Sequence, residues 1–173
     1  TDGVAIAPRN GNYNVDGIVD YREAQSQLVA SSVAMIRNSD YGFDPTMEHK
    51  IIVTDVRKGS VVVLDLNRCN GDWNDLTSSQ AVVWEWTGGN SGLDGVKYRY
   101  SPYYQKNVVI ATSSGGTAYV IDYATKNVLW QVSGIYNAHS IELLPNGDIV
   151  VAASGNSDIN YSDGGLHYYP AGS

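Results

Sequence analysis

The chain has 173 residues, a formal net charge of −7 and only 17% charged residues. An acidic surface of this kind repels nucleic-acid phosphates and anionic membranes, which argues against both as partners. The single cysteine, Cys69, rules out an internal disulfide and a cysteine metal cluster, and no apolar run approaches the ~20 residues of a membrane-crossing helix.

Eighteen Gly and thirteen Tyr, with frequent Val, Ile and Thr, favour β structure over helix. Residues 1–48 are the least regular part, an irregular N-terminal segment with strands available to a closing blade. Within it, the stretch Arg22 to Ile36 (REAQSQLVASSVAMI) reads equally as a helical turn and as strands, and periodicity does not decide. From His49 the pattern is plain. Ile51 to Thr54 and Val61 to Leu66 form a hairpin around Arg57-Lys58-Gly59, and a third strand follows at Val82 to Trp86. Strands at Val96 to Ser101, Asn107 to Ser113, Thr117 to Tyr123 and Val128 to Val132 come next. The last three are Ser140 to Leu144, Ile149 to Ala153 and Leu166 to Tyr169. Pro145-Asn146-Gly147-Asp148 supplies the fixed φ and the positive φ that a tight hairpin turn requires.

These strands repeat. KIIVTD from Lys50, NVVIATS from Asn107 and DIVVAAS from Asp148 hold the same place in successive units. Each is followed by a Gly-containing turn and a strand ending in Asp or an aromatic residue. Strands carrying Trp84, Trp86 and Trp130 close the first two units, and that recurrence points to packing between units. Four short strands per roughly 40–45 residues is the mark of a β-propeller blade. The fold class is therefore all-β, a propeller of four-stranded blades, with residues 49–173 supplying about three. Three blades do not close a ring, so another chain or segment is expected to complete it.

The strings AVVWEWTG, GLDGVKYRYS, VVIATSSGGTAYVIDYATKNVLWQV and NAHSIELLPNGDIVVAAS resemble a family of secreted microbial propellers. That family includes a lyase that cuts rhamnose from glucuronate in plant gums. The resemblance runs from Lys50 to Gly172 and implies a seven-bladed ring. It also implies an extracellular protein and a glycan substrate. A start at Thr1 rather than Met, and the sequon Asn160-Tyr161-Ser162, agree with an extracellular setting.

In a propeller the first strand of each blade lines the central channel. Asp94 and His139 hold equivalent slots just before two such strands and are expected to share one pocket. A histidine there suits general acid or base work. Arg99 and Lys97, two apart on one strand, share a face. On a uronate lyase Arg99 would hold the sugar carboxylate so that the adjacent proton becomes removable, with Lys97 and Asp94 binding substrate. Tyr136 would protonate the leaving oxygen or stack on a sugar ring. The bland alternatives are a His fixing a blade junction, cations on a solvated strand end, and a packed Tyr. Asp158, Asn160, Ser162 and Asp163 form an oxygen-rich loop, but Gly164 falls one place late for a calcium loop and the terminal Glu is missing. No cofactor is expected. Two further functional readings stand beside the lyase: a non-catalytic propeller binding glycans or proteins, and a structural subunit of a ring.

Overall fold

The computed structural model describes residues 30–35, 45–55, 58–69, 81–90, 92–156 and 163–173. They form three antiparallel sheets in which each strand pairs with the next along the chain. The first sheet contains β1 (Ala30–Met35), β2 (Lys50–Asp55), β3 (Ser60–Asp65) and β4 (Val82–Trp86). The second contains β5 (Leu93–Ser101), β6 (Lys106–Ser113), β7 (Thr117–Asp122) and β8 (Val128–Ser133). The third contains β9 (Ala138–Leu143), β10 (Ile149–Ala153) and β11 (Gly165–Tyr169). The segment left open between helix and strand thus supplies β1, the first strand of the first blade. Its partner is β2, with Met35 opposite Ile51.

Alternation explains why the middle strands read as unbroken apolar runs. Val109 and Ala111 of β6, with Tyr119 and Ile121 of β7, face the first blade and pack with Ile52, Val61, Val63, Trp84 and Trp86. Val108, Ile110, Ala118 and Val120 point the other way and pack with Ile141, Leu143, Ile149 and Val151 of the third blade. A sheet buried on both faces needs apolar residues at every position, so the period-2 signal vanishes into a run. Each Val, Leu or Ile side chain so buried contributes roughly 1.5–3 kcal/mol.

Tryptophans on the fourth strands join the blades. Trp84 stacks on Tyr123 with ring centroids 5.1 Å apart, and its indole N–H donates to the Tyr123 carbonyl at 2.8 Å. Trp86 meets Tyr119 edge-on at 5.3 Å. One blade later, Trp130 meets Tyr169 at 5.3 Å and donates to the Ser173 carbonyl at 2.9 Å.

The aspartates that end the third strands cap the turns after them. Asp122 accepts from the N–H groups of Ala124 and Thr125 and from Lys106 Nζ at 2.8 Å. Asp65 accepts from the Asn67 N–H and pairs with Arg68.

The strands β1, β5 and β9 lie side by side, with β5 against both neighbours. Each carries one residue more than its partner near its start. The surplus falls between Ala30 and Val33, between Leu93 and Val96, and at His139, between Ala138 and Ser140. A bulge of this kind re-aims the side chains at and beside it. The bulged residues of β5 and β9 are those on which the candidate site is built.

Candidate functional site

Asp94 and His139 are each the second residue of an inner strand, in neighbouring blades, and the two bulges turn them toward each other. The Asp94 carboxylate lies 2.7 Å from His139 Nδ1. The other ring nitrogen, Nε2, lies 3.1 Å from the Ser154 hydroxyl at the end of β10. The imidazole is half exposed (50%), while the Asp94 side chain is exposed by 26%. The three groups stand in the order carboxylate, imidazole, hydroxyl at an accessible blade junction.

Gly95 makes this approach possible. A Cβ there would lie 2.5 Å from the His139 carbonyl oxygen, 2.8 Å from Thr112 Oγ1 and 3.1 Å from Ser140 Cα. The Gly95 N–H donates to Thr112 Oγ1 at 2.9 Å, and Thr54 Oγ1 donates to the Asp94 carbonyl at 3.2 Å. The backbone carrying Asp94 is thus held both from its own sheet, through Thr112, and from the first blade, through Thr54.

Three residues further along, Lys97 and Glu142 also occupy equivalent slots, opposite Ile110 and Val150. Their side chains form an ion pair across the blade junction. Arg99 joins it with two prongs, Nε to Glu142 Oε1 at 3.0 Å and Nη2 to Oε2 at 3.3 Å. Arg99 also donates to the Tyr98 carbonyl. A carboxylate clamp is thus already filled from within the chain. Lys97 and Arg99 do hold a carboxylate, but it belongs to Glu142, because the register places that residue beside Lys97. Likewise the carboxylate of Asp94, expected to bind substrate, is engaged by His139. Tyr136 sits in the turn before β9, 47% exposed, with its ring beside Gly116 and its carbonyl accepting from the Gly155 N–H.

Among the described residues no cluster of three or more His, Cys, Asp or Glu side chains could hold a metal. Asp158, Asn160 and Ser162 of the oxygen-rich loop lie outside the described residues, as does the sequon. Asp163 Oδ1 accepts from the Asn156 N–H at 2.7 Å.

Three carboxylates are held below their usual range. For Glu142, burial pushes upward, but the hydrogen bonds and charges of Lys97 and Arg99 outweigh it. For Asp122 the Lys106 ammonium is the main cause, backed by the turn N–H groups against the opposing effect of burial. For Asp148 the hydroxyl of Tyr168 leads, followed by the Ala171 N–H. Unfolded, such groups titrate at about 4. A depressed folded value means that the unfolded chain takes up these protons first. Their contribution is present in full above that pH and is lost as pH falls through the folded values. The urea midpoint is therefore expected to hold from pH 7 to about 5 and to fall steeply toward pH 3. A midpoint unchanged at pH 3 would remove these carboxylates from the stability of the fold.

Two residues escaped the sequence reading. Ser154 lies at the end of the string DIVVAAS, one place beyond the apolar run, and Ser114 stands in the same place after NVVIATS. Aligning the units one residue further would have drawn attention to it. Glu142 is invisible as a partner of Lys97 and Arg99 until the register between blades is known.

Strand order, repeated bulges and blade-to-blade tryptophans define a β-propeller arc of about three blades, with a polar cluster at the start of its inner strands. The chain belongs to the DUF6528 family, a family of unknown function, whose model matches residues 48–163. None of the curated proteins matches it significantly. Among solved structures it is similar to the WD40 β-propeller domain of Doa1, at 12% identity and a TM-score of 0.55, covering 82% of this chain and 36% of that one. A chain of apo ctPRC2 in an autoinhibited state gives 11% identity and a TM-score of 0.55, over 83% of this chain and 28% of that one. The β-propeller domain of Cps50 (Swd1) from Myceliophteria thermophila shares 13% identity at a TM-score of 0.49, over 72% of this chain and 32% of that one. This chain thus spans about a third of the length of the first two of these chains. At such identities the likeness speaks for the propeller fold and for nothing finer.

Proposed function

We propose that this chain acts as an arc of a larger propeller ring that binds a ligand at the face where its inner strands begin. The observation that carries the reading is the outer face of the third blade. Leu166 and Tyr168 are 78% and 58% exposed, whereas Ala118 and Val120, their equivalents in the second blade, are fully buried under the third. A face of that pattern, built from the same repeat, is suited to a further blade. The binding face then lies at the mouth of the channel, where Asp94, His139 and Ser154 cluster.

The lyase role implied by the family resemblance has less support. It needs a cation free to take a uronate carboxylate, and Lys97 and Arg99 are already compensated by Glu142. A substrate carboxylate would have to compete with Glu142 for both cations, whose charge-assisted contacts would be given up as the new ones formed.

The native mass at micromolar concentration tests the ring. It is expected well above the 18.7 kDa of these 173 residues, whether the further blades come from a second copy, another polypeptide or a further segment of the same one, and where they come from a separate chain Leu166→Arg is expected to lower it. A monodisperse particle of 18.7 kDa overturns the reading. Uronate-containing glycans are expected to give no unsaturated product. Its appearance in the parent, and loss in His139→Ala, would restore the lyase.

A further inference from the structure

We propose that Ser154 is an activated nucleophile within an Asp94–His139–Ser154 relay, able to accept an acyl group from small, activated esters. This goes beyond ring assembly and ligand binding and does not depend on either. In the tautomer with its proton on Nδ1, His139 donates to Asp94 at 2.7 Å, which fixes the ring. The lone pair on Nε2 then meets the Ser154 hydroxyl at 3.1 Å, inside the range over which an imidazole takes a hydroxyl proton. Such relays are recognised by geometry and not by chain order.

The fold itself does not require the relay, and comparison with the second blade makes this plain. There the N–H of Ser114, the equivalent of Ser154, donates to the Gly92 carbonyl, just as the Ser154 N–H donates to the Asn137 carbonyl. The Ser114 hydroxyl also turns back to the Gly92 carbonyl, at 3.1 Å. That junction closes with backbone and one local hydroxyl bond, without an imidazole. In the third blade the hydroxyl meets a ring nitrogen instead, and both Ser154 and His139 are exposed enough for a ligand to reach. A polar trio that the scaffold can do without, placed in solvent reach on bulged strands, is more economically explained by chemistry than by folding.

The substrate class follows from what the loop withholds. The N–H groups of Ser154 and Gly155 are bonded to the Asn137 and Tyr136 carbonyls, so neither is available to stabilise a tetrahedral oxyanion. Esters with weakly basic leaving groups, such as aryl esters, depend least on that help. In the step proposed, Ser154 Oγ bonds to the carbonyl carbon while its proton passes to His139 Nε2. The ester C–O bond then breaks, and the leaving oxygen takes that proton. Water attacks the acyl-serine by the same route, releasing the acid and restoring the hydroxyl.

The full chain treated with a fluorophosphonate probe tests this. Fluoride leaves, a serine O–P bond forms, and intact mass with peptide mapping locates the adduct. One adduct at Ser154 is expected, absent in Ser154→Ala and formed at least ~10²-fold more slowly in His139→Gln. Asp94→Asn, which keeps the side-chain volume, is expected to slow it as well and serves as the second variant should His139→Gln lose its parental circular dichroism. Hydrolysis of p-nitrophenyl acetate is expected to fall in parallel. Failure of Ser154 to react where a serine-hydrolase control is labelled overturns the proposal. So does equal labelling of the parent and the folded relay variants.

Discussion

Trp84→Ala is expected to cost about 3–5 kcal/mol of folding stability, a large share of the roughly 5–15 kcal/mol available to a domain. Trp84 is only 7% exposed and sits between the first and second blades. Truncation removes the stack on Tyr123, takes the indole donor from the Tyr123 carbonyl, and opens a cavity beside the Tyr123 ring. Lys126 Nζ, 5.8 Å from the ring centre, loses its aromatic face too. Trp130 supplies an internal comparison, because it holds the same fourth-strand slot one blade later but is only half-buried. Trp130→Ala is therefore expected to cost clearly less. Urea unfolding measures both, with an unchanged m-value confirming that the folded state, not the unfolded one, was altered. A loss at Trp84 below 1 kcal/mol, or equal losses at the two sites, would contradict the account of how blades are joined.

The same tryptophans show what a repeat makes legible. VVWEW and VLWQV recur at one slot, and a large aromatic that recurs in a repeat has a packing role in every copy, as Trp84 and Trp130 do. Strands whose apolar runs lie between turn residues were equally readable, because burial on both faces leaves a dense local signal. The N-terminal stretch was not, since its apolar residues suit a helix or a strand and only pairing with β2 decides between them. Asp94 and His139 were legible as a pair because equivalent slots in adjacent blades must be neighbours. The bulges that aim them were hidden: an extra residue in an inner strand changes register without changing the hydrophobic pattern. Glu142 and Ser154 were missed for a related reason. Their partners are distant in sequence, and a lone Glu or Ser at a strand end carries no local mark of the cation or imidazole it will meet.

Gly95→Ala is expected to destabilise the chain by about 1–3 kcal/mol through overpacking and to damage the Asp94–His139–Ser154 cluster together with the fold. The cause is steric, not conformational, since Gly95 is not among the residues with positive φ. Its added methyl would meet the His139 carbonyl oxygen at 2.5 Å, and that atom is backbone, unable to swing aside as the end of a side chain could. Relief requires β9 to slide away from β5, which lengthens the 2.7 Å contact between Asp94 and His139. Gly134→Ala is the contrasting variant. Its φ of +88° strains an alanine, at roughly 1 kcal/mol, but nothing lies within 4 Å of the new methyl. That change is expected to lower the urea midpoint while leaving the imidazole signals of His139 in place. Gly95→Ala is expected to shift both. A Gly95→Ala protein with the parental midpoint would mean that the two inner strands approach less closely than the geometry of this junction requires. A normal midpoint with altered His139 signals would instead separate the alignment of the relay from the packing of the blades.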